Sequence, residues 1–143
     1  MQPTAETQFQ VPFHDVDMLE VAWHGHYFKY FEYARTELFR AHDFDMARIK
    51  ELGYRIVVSD SGCRYIRPLL YGMNVVARAT LTEHEYYLMI RYTLFNKEDG
   101  KRLARGFTKH VTLTQNNELI METPKDILDV FGVSSNDEET AHE

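Results

Sequence analysis

The chain has 143 residues, which is enough for one domain and too few for a separate cofactor-binding domain. Of these residues 44% are hydrophobic and 13% aromatic, so the domain can build a sizeable core. Its formal net charge of -6 disfavours nucleic acid or an anionic membrane as partner, because both repel a negatively charged protein. Cys63 is the single cysteine, which excludes an intrachain disulfide, and no apolar run is long enough to span a bilayer, so we expect a cytoplasmic protein.

A strand and a long helix are predicted near the start of the chain. From Gln8 to His14 apolar and polar residues alternate, which is the period of a half-buried strand. From His26 onward apolar residues recur every three or four positions, which predicts a helix whose apolar stripe consists of Tyr27, Tyr30, Phe31, Ala34, Leu38 and Ala41. Because further aromatic residues lie beside this stripe, we expect the helix to be largely enclosed.

The remaining elements alternate with turn signals. A second, short helix is predicted at 45–52, strands at 54–66, 74–83, 85–96 and 102–113, and a terminal helix at 124–130. Gly53 suits the end of the short helix, and His84 marks a tight reversal between two strands. Thr123 is the expected N-cap of the terminal helix, with Pro124 in its first position.

This order of elements predicts an α+β fold in which a curved antiparallel sheet wraps around one long central helix. The strands are expected to be antiparallel because the connections between them are short. We expect one domain over residues 1–133 and a polar, acidic tail over 134–143. An exposed sheet edge and an apolar flank favour self-association, so we expect a homodimer or a homotetramer.

Two motifs resemble those of a known family. The segment FHDVDMLEVAWHGHYFKYFEYAR at 13–35 resembles the N-terminal motif of the 4-hydroxybenzoyl-CoA thioesterase and YbgC-like acyl-CoA thioesterase family of hot-dog proteins. The stretch Tyr65-Ile66-Arg67-Pro68, followed by Tyr71-Gly72, is similar to the family's second signature. The resemblance extends from about Phe9 to Val130. It implies a hot-dog fold, hydrolysis of an acyl thioester, and no metal or other cofactor.

By this resemblance Asp17 is the catalytic aspartate, and His24 supplies a backbone N–H that stabilises negative charge on the thioester carbonyl oxygen. A carboxylate can attack the carbonyl itself or act as a general base toward water, and the sequence leaves both routes open. The unpaired N–H groups at a helix start, aided by the helix dipole, form an anion site. The family's active site lies at a subunit interface, so a second copy is expected to complete the pocket.

Substrate-binding residues are expected around this centre. Trp23 and the edge of the aromatic stripe at Tyr27 are candidates for the wall of an acyl pocket. Basic residues that could meet the phosphates of coenzyme A are Arg64 and Arg67, and also Arg105 and Lys109. The expected partner is therefore a small-molecule acyl thioester of coenzyme A, or the same acyl group on an acyl carrier protein.

Two departures from the family pattern bear on the site. Met18-Leu19-Glu20 stands where relatives often carry a glycine, and Met73 follows Gly72 where many carry aspartate. The first departure matters more, because glycine lets the backbone approach a ligand closely. The alternative function is a non-catalytic hot-dog module for acyl-thioester binding or assembly, since a fold does not by itself define a chemistry.

Other reactive residues have simpler interpretations. Asp15 is expected to be solvated or to hold the loop rather than to catalyse. His14, His24 and His26 lie near both aspartates and suggest a metal cluster only weakly, because no further spaced ligand completes it. Cys63 falls within a predicted strand and is expected to be a buried, small hydrophobic residue.

Overall fold

The computed structural model describes residues 2–135. The helices are α1 Tyr27–Ala41, α2 Met46–Leu52 and α3 Lys125–Phe131, with 3-10 turns at Phe13–Asp15 and His24–His26. The strands are β1 Thr4–Gln10, β2 Tyr54–Tyr65, β3 Asn74–Glu83, β4 Leu88–Asn96, β5 Arg102–Thr114 and β6 Leu119–Ile120. Of the predicted tail over 134–143, residues 136–143 lie outside the described part of the chain.

The strands form one curved antiparallel sheet in the order β1-β3-β4-β5-β2, and β6 pairs with β5. β1 and β2 are therefore the edges of this five-strand path. The connection from β2 to β3 packs against the loop before α1, where Leu69 accepts a hydrogen bond from the Ala22 N–H at 2.8 Å. A β-bridge between Val21 and Leu70 adds to this contact. The end of β2 and the start of α1 are thereby brought to one place.

Helix α1 packs one face on the sheet because its apolar residues follow a helical period. The buried residues of this face are Tyr27, Tyr30, Phe31, Ala34 and Leu38. Phe31 stacks on Tyr92 of β4 with ring centroids 4.7 Å apart. Gly106 of β5 leaves room for this stack, since a Cβ there would lie 2.5 Å from a ring atom of Phe31. The hydrophobic core thus lies between α1 and the sheet.

In a single chain α1 is less enclosed than the sequence predicted. Glu32, Tyr33 and Arg40 are exposed, so only one side of the helix is covered. Tyr33 packs its ring against Phe9 with centroids 5.6 Å apart, yet it remains 41% exposed. Ala41, which was expected on the buried stripe, is exposed because the helix ends at this residue.

The first strand is displaced from its predicted position. β1 begins at Thr4 and ends at Gln10, whereas the prediction extended the strand to His14. Pro12 follows the strand and cannot donate to a sheet ladder, and a 3-10 turn begins immediately after it. Phe13, an apolar residue within the predicted strand, is therefore outside β1 and 73% exposed.

Two later boundaries also differ from the prediction. β4 begins at Leu88, because residues 84–87 form a bend rather than a tight reversal at a single residue. α3 begins at Lys125 with Pro124 in the N-cap position, and Thr123 makes no capping hydrogen bond. β6 was not predicted because two residues are too few to show a period.

Polar side chains of β4 and β5 form a hydrogen-bonded chain inside the core. The Tyr92 hydroxyl lies 2.6 Å from Oγ1 of Thr108, and that oxygen lies 2.8 Å from Nε2 of His110. Arg35 of α1 donates to the Tyr92 hydroxyl at 3.2 Å. Burial, with a further contribution from the Arg35 charge, lowers the pKa of His110 to about 3. The imidazole is therefore neutral in the folded protein at neutral pH.

Acidification is expected to destabilise the fold through His110. The unfolded chain binds a proton at this imidazole below its ordinary pKa of 6.5, whereas the folded protein does so only near a pKa of about 3. Above pH 6.5 the imidazole is neutral in both states, so the free energy of unfolding does not depend on its titration. Below pH 6.5 the unfolded chain binds a proton that the folded protein does not, and the free energy of unfolding falls by up to about 1.4 kcal/mol per pH unit. Denaturant titrations between about pH 7 and about pH 4 should give a shallower dependence for His110→Gln. Equal dependence in both proteins would contradict this.

Candidate active site

A groove with a volume of about 410 Å³ opens where the loop before α1 meets the end of β2. Its lining comes from the turn before α1, the first residues of the helical segment and the β2–β3 connection. These residues are Asp17, Val21, Ala22, Trp23, His24, Tyr27, Tyr65, Ile66, Arg67 and Pro68. The structure therefore brings the predicted site residues together, with the exception of the candidate phosphate contacts Arg64, Arg105 and Lys109.

Asp17 occupies the start of a tight turn between two short antiparallel segments. A β-bridge pairs Val16 with Ala22, and the Asp17 N–H donates to the carbonyl oxygen of Val21 at 3.0 Å. The Leu19 N–H donates to Oδ1 of Asp17 at 2.9 Å, so the turn holds one carboxylate oxygen. Within the described chain Oδ2 has no hydrogen-bond partner, and the side chain is exposed. Asp17 thus lines the groove with one carboxylate oxygen that no described residue binds.

Glu20 shows the consequence of the missing glycine in this turn. Its φ of 63° is a left-handed conformation, which costs a non-glycine residue about 1–2 kcal/mol. The Glu20 N–H donates to the Asp17 carbonyl at 3.0 Å, and the Glu20 carbonyl accepts the Tyr71 N–H at 3.1 Å. Hydrogen bonds on both sides therefore hold the turn in the conformation that glycine would adopt at lower cost.

The helical segment begins beside the Asp17 turn. Trp23 precedes the 3-10 turn His24–His26, which continues directly into α1. The Trp23 carbonyl accepts the His26 N–H at 3.0 Å, and a Cβ on Gly25 would lie 2.2 Å from a Trp23 ring atom. Among the described residues the His24 N–H has no acceptor. This N–H, at the positive end of the helical segment, is available to an anionic group in the groove.

Aromatic rings form the wall of the groove. Tyr27 and Tyr65 meet edge to face with centroids 4.7 Å apart, and Trp23 lies 5.1 Å from the His24 ring. The Tyr65 hydroxyl donates to the His24 carbonyl oxygen at 3.2 Å, which ties β2 to the helix start. Burial raises the pKa of both Tyr27 and Tyr65, so both phenols are neutral at neutral pH. The sequence prediction did not assign Tyr65 to the site, although it begins the second family motif.

Asp15 is buried, which corrects the expectation that it is solvated; only 2% of the residue is exposed. Its carboxylate accepts hydrogen bonds from Lys29 Nζ at 2.7 and 2.6 Å and from the Tyr30 hydroxyl at 2.7 Å. Burial by itself raises the pKa of Asp15, but the hydrogen bonds from Lys29 and Tyr30 and the Lys29 charge bring it below its ordinary value. Asp15 is therefore ionised at neutral pH, and it holds the loop, as the sequence prediction allowed.

The arginines predicted to bind phosphates lie on different surfaces. Arg67 lines the groove. Arg64 lies opposite Arg105 in the register of β2 and β5, and both line a separate cavity of about 580 Å³. Arg91 of β4 lines the same cavity. Successive side chains of a strand point to opposite faces, so Arg64 points away from the groove that the adjacent Tyr65 lines.

Two further residues considered at the sequence level lie apart from the groove. The Lys109 ammonium lies over the Tyr87 ring, 4.3 Å from its centroid. Cys63 is partly buried and packs against the core. Burial raises the pKa of the Cys63 thiol, despite a hydrogen bond with Tyr65 that acts in the opposite direction. The thiol is therefore protonated at neutral pH, which fits a packing residue rather than a nucleophile.

The histidines near the two aspartates do not form a metal site. Across residues 2–135 no group of His, Cys, Asp and Glu side chains is placed to hold a metal ion. His14 and His26 approach Asp15 at 3.5 and 3.9 Å, but Lys29 already occupies both oxygens of that carboxylate.

The fold defines the class of this protein. A curved antiparallel sheet with α1 packed on one face is the arrangement of the hot-dog fold, which the structural neighbours share. Residues 11–131 match the family model described as the thioesterase-like superfamily. The chain belongs to the thioesterase-like superfamily.

Individual relatives agree with this membership. The chain is 31% identical over 123 residues to a protein named "Putative esterase" from Aquifex aeolicus, covering 85% of this chain and 93% of the relative. A hypothetical protein of Aquifex aeolicus has a similar structure, with 27% identity and a TM-score of 0.76 over 88% of this chain and 98% of that one. A 1,4-dihydroxy-2-naphthoyl-CoA thioesterase from Synechocystis shares the fold at 17% identity, with a TM-score of 0.79 over 90% and 95% of the two chains.

None of the helices in the described residues has both the length and the apolar character that crossing a membrane requires.

Proposed function

We propose that this chain hydrolyses an acyl thioester of coenzyme A or of an acyl carrier protein, with Asp17 as the reacting residue. The observation that carries the proposal is one shared groove. The unpartnered Oδ2 of Asp17 and the N–H of His24 both belong to residues that line it. A thioester carbonyl bound between them would meet an attacking group and an oxyanion donor. Membership in the thioesterase-like superfamily supports the same reaction.

Two routes use this geometry. In the first, Oδ2 of Asp17 attacks the thioester carbonyl carbon, the C–S bond breaks to release a thiolate, and water hydrolyses the mixed anhydride. In the second, Asp17 takes a proton from water as the water oxygen attacks the carbonyl, and the C–S bond then breaks. In both routes the His24 N–H stabilises the oxyanion, and the products are a free acid and a thiol.

The acyl group is proposed to pack against the aromatic wall of the groove, formed by Trp23, Tyr27 and Tyr65. An acyl group packed on these rings would displace water from them, while the backbone groups of the helix start remain accessible to the carbonyl. Proteins of the same fold include the 1,4-dihydroxy-2-naphthoyl-CoA thioesterase and a 4-hydroxybenzoyl-CoA thioesterase variant in complex with 4-hydroxybenzoyl-CoA. Aromatic acyl groups therefore belong in a substrate panel beside aliphatic ones.

Arg67 is the proposed contact for a coenzyme A phosphate within the same chain. It is exposed and lines the groove, so its guanidinium can reach the solvent end of a bound substrate. Arg64 lies in the separate cavity with Arg91 and Arg105. Arg64 can therefore bind substrate only if the groove of a second copy lies beside that cavity.

A homodimer or homotetramer is proposed because the chain exposes both a sheet edge and apolar side chains around the groove. β2 is an edge strand, and Val58 on it is 49% exposed. In the turn that follows Asp17, Met18 is 100% exposed and Leu19 is 80% exposed, and Trp23 beside the groove is 55% exposed. A second copy that covers this surface would also narrow the groove. Light scattering coupled to size exclusion measures the assembly.

The function is tested by thiol release from a panel of substrates. The panel contains aromatic and aliphatic acyl-CoAs, the same acyl groups on an acyl carrier protein, and the matching acyl pantetheines. The proposal expects turnover of thioesters, and the acyl pantetheines should show a higher KM than the acyl-CoAs if Arg67 binds a phosphate. Tight binding of acyl-CoA without any turnover would instead support the non-catalytic binding module.

Chelators are expected to leave this activity unchanged. No His, Cys, Asp and Glu group in residues 2–135 is placed to hold a metal ion, and Asp17 needs none for either route. The thiol-release rate after incubation with EDTA should equal that of untreated enzyme. A loss that zinc or another divalent ion restores would identify a metal-dependent reaction.

A further inference from the structure

Asp15 occupies the junction between the two parts of the proposed catalytic centre. Its N–H donates to the Pro12 carbonyl at 3.1 Å, and its carbonyl accepts the Trp23 N–H at 3.1 Å. Its side chain accepts hydrogen bonds from Lys29 and Tyr30 in the first turns of α1. One residue therefore contacts Pro12 after β1, Trp23 before the 3-10 turn His24–His26, and the helix itself.

The junction connects the Asp17 carboxylate with the His24 N–H, the two groups proposed to contact the thioester carbonyl. Asp17 lies two positions after Asp15 in the chain, and Trp23 directly precedes His24. We propose that Asp15, fixed by Lys29 and Tyr30, is a positioning residue that sets the place of the Asp17 carboxylate relative to the His24 N–H. The inference rests on the proposed function and adds to it a residue that does not touch substrate.

The charges around Asp15 favour a fixed geometry. The carboxylate is buried, and the groups that face it are Lys29 and Tyr30 from α1, His26 from the 3-10 turn and His14 from its own turn. Lys29 reaches both oxygens, and Tyr30 binds one of them. A buried carboxylate held by several charge-assisted hydrogen bonds has few alternative orientations, so the backbone on either side of it is also held.

The test uses Asp15→Asn, which keeps the size of the side chain and removes the charge that binds Lys29. The expected result is a kcat about tenfold below wild type, with KM within about twofold. Misplaced reacting groups reduce the stabilisation of the transition state more than they reduce the affinity for substrate. Leu38→Ala is the matched control, because Leu38 is fully buried in α1 and is not among the groove-lining residues. Assayed below its melting temperature, this destabilised variant should keep the wild-type kcat.

A double-mutant cycle separates positioning from a general structural role. If Asp15 acts through Asp17, Asp15→Asn should lower the residual kcat of Asp17→Asn by less than about twofold. Tyr30→Phe removes a single hydrogen bond to Asp15 without removing its charge, so it serves if Asp15→Asn does not fold. It should lower kcat severalfold at unchanged KM.

Two outcomes would overturn the positioning role. One is a wild-type kcat in folded Asp15→Asn or Tyr30→Phe. The other is that Asp15→Asn lowers kcat by the same factor in the wild-type protein and in the Asp17→Asn variant. Either result, together with a large loss in Asp17→Asn alone, would refute only the positioning role. Full activity in Asp17→Asn would refute the proposed function itself.

Discussion

Replacing Asp17 by asparagine is expected to lower kcat by at least about a hundredfold while the fold and assembly are retained. An amide can neither attack the carbonyl nor accept a proton from water. Its oxygen can still accept the Leu19 N–H that now reaches Oδ1 at 2.9 Å, so the turn keeps its shape. Because the side chain is exposed, the substitution leaves no buried group unpaired. Thiol release under saturating substrate measures the effect.

Asp45→Asn is the matched control for this substitution. Asp45 is also exposed and also accepts a backbone N–H, from Arg48 at 2.8 Å, but it caps α2 and does not line the groove. Asparagine is an equally good N-cap, so this variant should be as active as wild type. A folded Asp17→Asn enzyme with near-wild-type turnover would remove Asp17 from the mechanism.

Deleting the His24 N–H is expected to approach the loss seen at Asp17, whereas deleting its imidazole is not. His24→Pro removes the proposed oxyanion donor, and loss of one such donor typically costs on the order of 100-fold or more in kcat. His24→Ala retains the N–H and should lose much less. Comparing kcat for the two variants isolates the contribution of the backbone group.

The local backbone suits this proline substitution. Residues before proline favour extended conformations, and Trp23 already has φ of -61° and ψ of 136°. Proline is also well tolerated at the first position of a helical segment, so little folding cost is expected. Circular dichroism and sizing should confirm that both variants fold and assemble. A folded His24→Pro enzyme with full activity would place the oxyanion donor elsewhere.

Local signals in the sequence predicted several elements well, because their causes are local. Gly53 was expected to end α2, and it does so with φ of 91°. The helix begins one residue later than predicted because the Asp45 side chain caps it through the Arg48 N–H. The predicted bounds of β3, 74–83, agree with the structure, since its alternating residues are buried on one side. Periodicity and capping act within a few residues, so a single sequence reveals them.

The predictions that were wrong have two causes. Some depend on contacts between segments distant in sequence, and one extended the strand period of the first strand beyond its end. The alternation of apolar and polar residues continues past Pro12 in the sequence, but the chain leaves the strand there and turns. The environment of Asp15 depends on Lys29 and Tyr30, which only the folded helix brings near. The separation of Arg64 from Arg67 was foreseeable, because strand alternation places Arg64 on the face opposite Tyr65.

The turn that follows Asp17 shows how a motif departure can be accommodated. Met18-Leu19-Glu20 stands where relatives often carry a glycine, which lets the backbone approach a ligand closely. In the structure Glu20 adopts the left-handed conformation, and the exposed oxygen of Asp17 is preserved. Whether a residue other than glycine adopts such a φ depends here on two hydrogen bonds, from the Glu20 N–H to the Asp17 carbonyl and from the Tyr71 N–H to the Glu20 carbonyl. A motif comparison does not contain them.

The most direct test of the central claim is a crystal structure of the Asp17→Asn protein bound to the acyl-CoA that wild type hydrolyses fastest. The account predicts that the acyl group contacts Trp23 and Tyr27 and that the carbonyl oxygen lies about 3 Å from the His24 nitrogen. It also predicts that residue 17 lies beside the carbonyl carbon. A thioester bound outside this groove, or one whose carbonyl points away from the His24 N–H, would contradict the proposed active site.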